Sequence, residues 1–269
     1  MSICMDIAIP TTIPDTTKTQ LNAGNDVVLP ANVSAILAIV PFLGINAGST
    51  ADKPRMAKCI LESDDFKVSP LEVLCPPIGS GLGTGISHVF QPSPEKYAVN
   101  IPVKGGDRLR VYGKGIYDAG ADPMMGCAII MSTGPAPGTQ KKGIVWDGTV
   151  ASTTRAVDKT GGTKTINGGK RIVEVNGIAA SLVTTTTEGR IPVLKFTSTE
   201  FVPNLPLKFP LAPFSGGEVA TNISDFVSGM MRYPVDIGLL SPATIEAFCT
   251  LYETTITAAP EFTAGLLYE

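Results

Sequence analysis

Short apolar segments recur along the whole chain, and each is bounded by glycine, proline, asparagine or aspartate. They are rich in valine, isoleucine, threonine and aromatic residues, which favour the pleated, half-buried surface of a β-strand. The pattern predicts strands over residues 26–29, 34–40, 55–61, 97–103, 108–112, 126–131, 171–175, 179–185, 191–197, 207–210, 233–239, 244–250 and 264–268.

Helical periodicity is almost absent. The 28 glycines and 22 prolines are spread over the full length, so every long stretch contains a residue that interrupts a helix. Only minor short helices are expected, for example over 222–231. Many short strands at regular spacing predict an all-β fold of the sandwich or barrel type.

The strand pattern occurs twice, in the same order. The clearest element is Tyr-x-Val-[Asn/Asp]-Ile, which stands at 97–101 and again at 233–237. The common order and near-constant offset indicate an internal repeat. The matched segments are Leu21-Asn22-Ala23-Gly24 with Ile166-Asn167-Gly168-Gly169, Arg55-Met56-Ala57-Lys58-Cys59 with Arg190-Ile191-Pro192-Val193-Leu194, and Pro70-Leu71-Glu72-Val73 with Pro206-Leu207-Lys208-Phe209.

The repeat predicts two β-sandwich domains, over residues 21–135 and 166–269. Each holds enough strand candidates for two packed sheets. Residues 1–20 are expected to be an extended N-terminal arm. Residues 136–165 read as a linker or long loop. The only tryptophan, Trp146, lies in this stretch, either as an anchor against a neighbour or between the halves, or as cover for a surface loop.

The low charge content favours an assembling protein. Charged residues make up 17% of the chain against 43% hydrophobic residues, and ordinary soluble proteins carry roughly 25% charged residues. The net charge is −3, and the densest basic feature is the pair Lys141-Lys142. Because a grip on phosphates needs clustered lysine and arginine, we expect no direct sequence-specific nucleic-acid binding.

The cysteines and the N-terminus indicate folding in a reducing compartment. The five cysteines are odd in number, widely spaced and without a C-x-x-C pair, so reduced, mostly buried thiols are expected. The N-terminal residues lack the basic and apolar segments of a signal peptide, and no apolar run approaches the roughly 20 residues of a membrane helix. The cysteines are Cys4, Cys59, Cys75, Cys127 and Cys249.

The sequence contains few patterns that are typical of catalytic, phosphate-binding or metal-binding sites. His88 is the only histidine, and metal-binding sandwiches use two or three imidazoles per site. The glycine-rich stretch 79–85 fits no phosphate-binding motif and reads as a flexible loop. The carboxylates at 64–65, and those of Asp118 and Asp122, are typical of turns, with a calcium loop at Asp118/Asp122 as the alternative. We predict a non-catalytic protein with no catalytic, cofactor-binding or metal-binding residues and no cofactor.

Two tandem sandwiches of this size resemble the double jelly-roll major capsid proteins of tailless icosahedral viruses. The resemblance covers about residues 21–269. It implies two eight-stranded jelly rolls side by side, with outer towers built from their loops. It also implies homotrimers with a pseudo-hexagonal outline that tile an icosahedral shell. The implied location is the virion, assembled in the host cytoplasm.

The partners that this resemblance implies are further copies of the chain, neighbouring capsomers, and minor capsid or penton proteins. Some members of the family carry a C-terminal membrane helix, whereas this chain ends in a predicted strand, so contact with an internal membrane stays open. Two other classes remain alternatives. An extracellular filament or surface-layer subunit would need an export signal. A carbohydrate-binding β-sandwich protein would need aromatic platforms, and aromatic residues make up only 6% of the chain.

Overall fold

The computed structural model describes residues 3–13, 17–44, 54–65, 68–83, 86–90, 94–118, 123–150, 158–180, 188–211, 214–216, 230–252 and 261–269. We call residues 3–132 the first half and residues 142–268 the second half. The strands of the first half are β1 (Ile3–Thr12), β2 (Thr19–Gln20), β3 (Val27–Val28), β4 (Ala35–Gly44), β5 (Pro54–Ser63), β6 (Val68–Leu74), β7 (Ile78–Gly83), β8 (Ile86–Phe90), β9 (Tyr97–Pro102), β10 (Arg108–Asp118) and β11 (Met124–Ser132).

The second half is built in the same way from antiparallel strands. Its strands are β12 (Lys142–Val150), β13 (Lys159–Ile166), β14 (Arg171–Ala180), β15 (Glu188–Thr197), β16 (Phe201–Val202), β17 (Leu207–Pro210), β18 (Phe214–Gly216), β19 (Met231–Leu239), β20 (Ala243–Tyr252) and β21 (Glu261–Tyr268). The predicted all-β class is therefore confirmed. Among the described residues, the helical structure is a single 3-10 turn at Asn22–Gly24.

Each half consists of two sheets. In the first half, sheet I has the order β1-β11-β4-β9, and sheet II has the order β2-β10-β5-β7-β8, with β3 on β10 and β6 on β5. In the second half, sheet III has the order β12-β21-β14-β19-β16, and sheet IV has the order β13-β20-β15-β17, with β18 on β15. The order β12-β21-β14-β19 of sheet III therefore repeats the order β1-β11-β4-β9 of sheet I. In sheet IV, β13, β20, β15 and β17 take the places that β2, β10, β5 and β6 have in sheet II, and the remaining short strands differ.

Alternating burial explains why these segments pair as they do. In β20, Ala243, Ile245 and Ala247 are fully buried, whereas the intervening residues are more exposed. Side chains on a strand point to opposite faces in turn, so one face of each sheet packs on its partner sheet. Sheets I and II enclose one large hydrophobic core, and sheets III and IV enclose another.

The predicted N-terminal arm is wrong. Residues 3–12 of it form β1, which pairs along its length with β11, and Thr19–Gln20 form β2 on β10. The sequence analysis missed β1 because Pro10 and Pro14 suggested an extended arm. However, Pro10 lies at an irregularity of the ladder between Ala8 and Thr11, where a missing backbone N–H is tolerated.

The predicted linker over 136–165 is also corrected. It contains β12 and most of β13, and the connection between β11 and β12 covers only residues 133–141. Trp146 is neither a surface cover nor an anchor between the halves, because it is 1% exposed inside the second core. Its ring packs edge-on against Phe196, and its Nε1 donates to the Gly162 carbonyl at 3.0 Å.

The expected short helix over 222–231 falls mostly on residues outside the described set, and Met231 begins β19. Within the described residues, no helix has the length and apolarity needed to cross a membrane.

Candidate functional site: the outward faces of the two halves

The residues examined for chemistry in the sequence do not come together. His88 lies in β8 opposite Gly81 of β7, so the glycine-rich stretch predicted as a flexible loop is largely one strand of a hairpin. Asp118 ends β10, and Asp122 lies outside the described residues. Among the residues that the structure describes, no cluster of three or more histidine, cysteine or acidic side chains could hold a metal ion.

The acidic pair at 64–65 is a turn, as predicted. The Asp65 carboxylate accepts a hydrogen bond from the Arg108 backbone N–H at 2.7 Å, and Asp64 pairs with Arg110 at 2.8 Å. Both carboxylates hold the end of β5 against β10. They therefore have a structural role.

Four cysteines are buried in the cores, as predicted, and their thiols are free in the structure. A hydrogen bond between Cys59 and Cys127 and burial raise the pKa of the Cys59 thiol, and burial raises the pKa of Cys249 to about 12. A thiol with so high a pKa is a poor nucleophile at neutral pH, so Cys59 and Cys249 act as packing residues.

The most developed polar site is the contact between the halves, where the outward face of sheet II meets the outward face of sheet III. A small apolar cluster lies at its centre. Met56 of β5 and Leu74 of β6 pack against Val145 of β12 and Ile178 of β14, and all four side chains are fully buried.

A buried lysine joins the two halves. Lys58 of β5 is 4% exposed, and its Nζ lies 3.0 Å from Glu72 Oε1 in its own half and 2.7 Å from Asp147 Oδ1 in the other half. Lys114 lies 2.9 Å from the second oxygen of Asp147. A buried charge is tolerated only when it is paired, so the position of Asp147 fixes how β12 docks on β5.

Glu72 extends this network along the edge of sheet III. Its Oε2 accepts a hydrogen bond from the Val145 backbone N–H at 3.0 Å and lies 3.5 Å from Lys164 Nζ. A Cβ atom on Gly143 would lie 2.3 Å from the Glu72 carbonyl oxygen, so this close approach of β12 to β6 requires glycine. β12 is the edge strand of sheet III, and the first half covers this edge.

Arg232 forms a second link between the halves. Its guanidinium binds Glu174 in its own half and Glu95 of the first half at 2.6 and 2.8 Å, and donates to the Lys96 carbonyl at 3.1 Å. It also lies 4.5 Å from the centroid of the buried Tyr97 ring. Charge, hydrogen bonds and an aromatic face thus converge on one side chain.

The electrostatics fit a permanently charged contact. Burial by itself raises the pKa of Asp147, but the hydrogen bonds and charges of Lys58 and Lys114 outweigh it and lower the pKa. Burial likewise lowers the pKa of Arg232, and the carboxylates of Glu174 and Glu95 reverse this and raise it. Both groups therefore stay ionised at neutral pH.

Sequence reading missed this contact. The available signal was Lys58, which interrupts the apolar segment Met56-Ala57-Lys58-Cys59-Ile60. A lysine in such a run indicates either an edge position or a buried ion pair. Its partner Asp147 lies far away in the chain, and no local pattern identifies it.

The other two outward faces, on sheets I and IV, carry exposed apolar side chains. Ile7 and Ile9 of β1 are 49% and 59% exposed, and Ile191 and Tyr252 of sheet IV are 49% and 41% exposed. Lys195 also lies on sheet IV, where its charge is matched by the carboxylate of Asp158. These two faces are candidates for contacts with other molecules.

A polar cleft of about 390 Å³ lies at one end of sheet IV. Ser198 and Thr199 hydroxyls donate to the Glu200 carboxylate and lower its pKa. Among the described residues that line this cleft, none is aromatic. They are Thr163, Thr197, Ser198, Thr199, Glu200, Asn204, Pro206, Thr244 and Glu246.

No protein-family model and no curated protein sequence matches the chain. Among solved structures, it is similar to one of infectious bursal disease virus, strain Gx, with 11% identity, 99% of this chain and 71% of that chain covered, and a TM-score of 0.30. It is also similar to the VP2 subviral particle of infectious bursal disease virus, with 8% identity, coverage of 99% and 71%, and a TM-score of 0.29.

A third similarity is to the T=1 Penaeus vannamei nodavirus structure, with 9% identity, 99% of each chain covered and a TM-score of 0.22. TM-scores of this size are too low to carry a functional conclusion. What bears on function is therefore the topology and the surface of the chain itself.

Proposed function

We propose that this chain is a capsid protein of the double jelly-roll type, which self-assembles into trimers that tile an icosahedral shell in the virion. Each half is one jelly roll of eight principal strands. We place the division between them at residues 133–141, which connect β11 to β12. As a virion component, it would be assembled in the host cytoplasm.

The single observation that supports this proposal most is the repeated sheet order. Eight principal strands can be numbered in chain order in each half, and the two sheets then have the orders 1-8-3-6 and 2-7-4-5, with additional short strands. These strands are β1, β2, β4, β5, β6, β9, β10 and β11 in the first half, and β12, β13, β14, β15, β17, β19, β20 and β21 in the second half. This two-sheet Greek-key arrangement is that of jelly rolls, which recur in viral capsid proteins, lectins and cupins. A chain that carries it twice presents two similar building blocks joined in a fixed orientation.

The surface favours a shell protein over the other jelly-roll functions. Cupin chemistry needs a cluster of metal ligands, and the described residues contain none. A carbohydrate-binding protein would be expected to use an aromatic platform, and the polar cleft on sheet IV has none among its described lining residues. The exposed apolar faces of sheets I and IV instead suit contacts between protein subunits.

The test is the mass of the purified chain in solution, measured by size-exclusion chromatography with light scattering. We expect a species of about three times the chain mass of 28.1 kDa, with a hexagonal outline in negative-stain electron microscopy. A chain that stays monomeric at every concentration, or that binds a glycan array as a monomer, would contradict the proposal.

A further inference from the structure

The contact between the halves uses only two of the four outward faces. Sheet II of the first half meets sheet III of the second half, whereas the outward faces of sheets I and IV make no such contact within the described residues. Because sheet I repeats sheet III and sheet IV repeats sheet II, these two faces are the topological equivalents of the two that meet. The register of the strands allows the equivalence to be followed residue by residue.

In sheets I and III, matching irregularities fix the register. The ladder of β1 on β11 shifts after Ala8, and the ladder of β12 on β21 shifts after Trp146, so these two residues are equivalent. Ile7 of sheet I then corresponds to Val145 of sheet III, and Ile9 corresponds to Asp147.

The next strand in each sheet agrees with this register. Val40 pairs with Ala128, which pairs with Ile7, just as Asn176 pairs with Gly265, which pairs with Val145. Two residues further along these strands, on the same face, Phe42 corresponds to Ile178 of the apolar cluster between the halves.

In sheets II and IV, the repeated Pro-Leu segment fixes the register. Leu74 of β6 pairs with Lys58 of β5, and its equivalent Pro210 of β17 pairs with Val193 of β15. Val193 therefore corresponds to Lys58. Two residues earlier on the same strand, Ile191 corresponds to Met56.

The equivalents of the Lys58–Asp147 ion pair are apolar, whereas the equivalent of Glu72 is the exposed Lys208. Lys58 and Asp147 form an ion pair at 2.7 Å, and their equivalents are Val193 and Ile9. The apolar cluster of Met56, Leu74, Val145 and Ile178 has the equivalents Ile191, Pro210, Ile7 and Phe42, which are again all apolar. The two pairs of faces therefore differ at the site of the ion pair, which is charged in the contact between the halves and apolar on sheets I and IV.

We propose that the apolar face of sheet IV in one copy binds the apolar face of sheet I in the next copy, reproducing the geometry of the contact between the halves, with Val193 opposite Ile9. This inference rests on the proposed function and names the contact that closes the trimer. Two halves per chain and one repeated contact geometry allow a ring of six sandwiches from three chains.

The charge pattern also determines the order of halves around the ring. If sheet II of one copy met sheet I of another, Lys58 would lie opposite Ile9 and lose Asp147 as its partner. Lys58 would keep Glu72 of its own half, but an apolar side chain would replace its second carboxylate, which is unfavourable for a buried charge. First and second halves must therefore alternate, because the alternative pairing is penalised.

A charge transplant tests this contact. Ile9→Asp and Val193→Lys each place one unpaired charge in the proposed contact, and each is expected to raise the concentration of half-maximal trimer formation by about tenfold or more. The double variant recreates the Lys58–Asp147 pair and is expected to return this concentration towards the wild-type value. The readout is mass by light scattering across a dilution series.

The control is Leu240→Asp, because Leu240 is 61% exposed but lies outside both faces. It should leave trimer formation unchanged. Far-ultraviolet circular dichroism and Trp146 fluorescence show whether each variant is folded. A wild-type trimer that tolerates both single charges overturns the contact but leaves the proposed function intact, whereas a monomeric wild-type chain overturns both.

Cross-linking gives a second measurement that does not depend on weakening the assembly. In a Cys4→Ser background, Ile9→Cys and Val193→Cys together should give covalent dimers and trimers with a short bis-maleimide, because the other four cysteines are buried. Neither single cysteine variant should do so. A folded trimer in which the double variant does not cross-link would contradict the contact.

Discussion

The two halves share one strand order but differ in the chemistry of their outward faces. Sheet III of the second half presents Asp147, Glu174 and Asn176 to the first half, and the equivalent positions of sheet I carry isoleucine, alanine and valine. The equivalents of Lys58 and Glu72 on sheet IV are Val193 and the exposed Lys208. Charge at the contact is thus concentrated where the two halves of one chain meet.

This difference indicates how a repeated fold avoids binding itself in the wrong order. A contact within a chain forms at high effective concentration, so it tolerates the desolvation of Lys58 and gains a fixed register from it. A contact between chains has no such advantage and depends on apolar burial.

The largest effect is expected in the cores. Trp146→Ala should lower the free energy of unfolding by about 3–5 kcal/mol, because it empties a large buried site and removes the hydrogen bond to Gly162. Ala8 occupies the equivalent position in the first half, and Ala8→Gly removes only a methyl group, so it should cost about 1 kcal/mol or less. Urea denaturation followed by circular dichroism measures both values, and similar costs would contradict the assignment of these positions.

A smaller effect is expected at the contact between the halves. Lys58→Met leaves Glu72 and Asp147 without their shared partner and should cost about 2 kcal/mol. Val193→Met, at the equivalent position, should change the stability of the monomer by no more than about 0.5 kcal/mol. Both variants are compared by denaturant unfolding under monomeric conditions. Equal losses in the free energy of unfolding would show that the ion pairs of Lys58 do not stabilise the contact.

The smallest effect is a pH dependence of this contact. Because the folded-state pKa of Asp147 is lowered, its contribution is present above the unfolded pKa of about 3.9 and is lost as the pH falls through the folded pKa. Asp147→Asn should therefore be less stable than the wild type at pH 7 and equal to it near pH 2. Since the side chain is 42% exposed, the difference should stay below about 1 kcal/mol. A difference that is independent of pH would contradict the ion pair.

Local pattern was sufficient for the fold class and for much of the repeat. Alternation of apolar and polar residues predicted most of the strands, and the matched segments of the two halves fall in equivalent strands. Leu21 and Ile166, for example, both lie where the second principal strand ends. The same reasoning failed for β1 and β12, because their prolines and glycines are typical of loops until a partner strand is known.

The contact between the halves could not be predicted for a different reason. Lys58, Glu72 and Asp147 are each unremarkable in their own segment, and their meaning arises only when β5, β6 and β12 are brought together. Pairing across long sequence separations is a property of the packed sheets.

The sequence by itself determined that the chain is built of β-strands, that the pattern occurs twice, and that few charges are available for its surface. Periodicity and composition are local properties, so they can be read without a structure. Only the tertiary structure decided which faces meet and which remain open. That outcome depends on register, because shifting a strand by one residue exchanges its two faces.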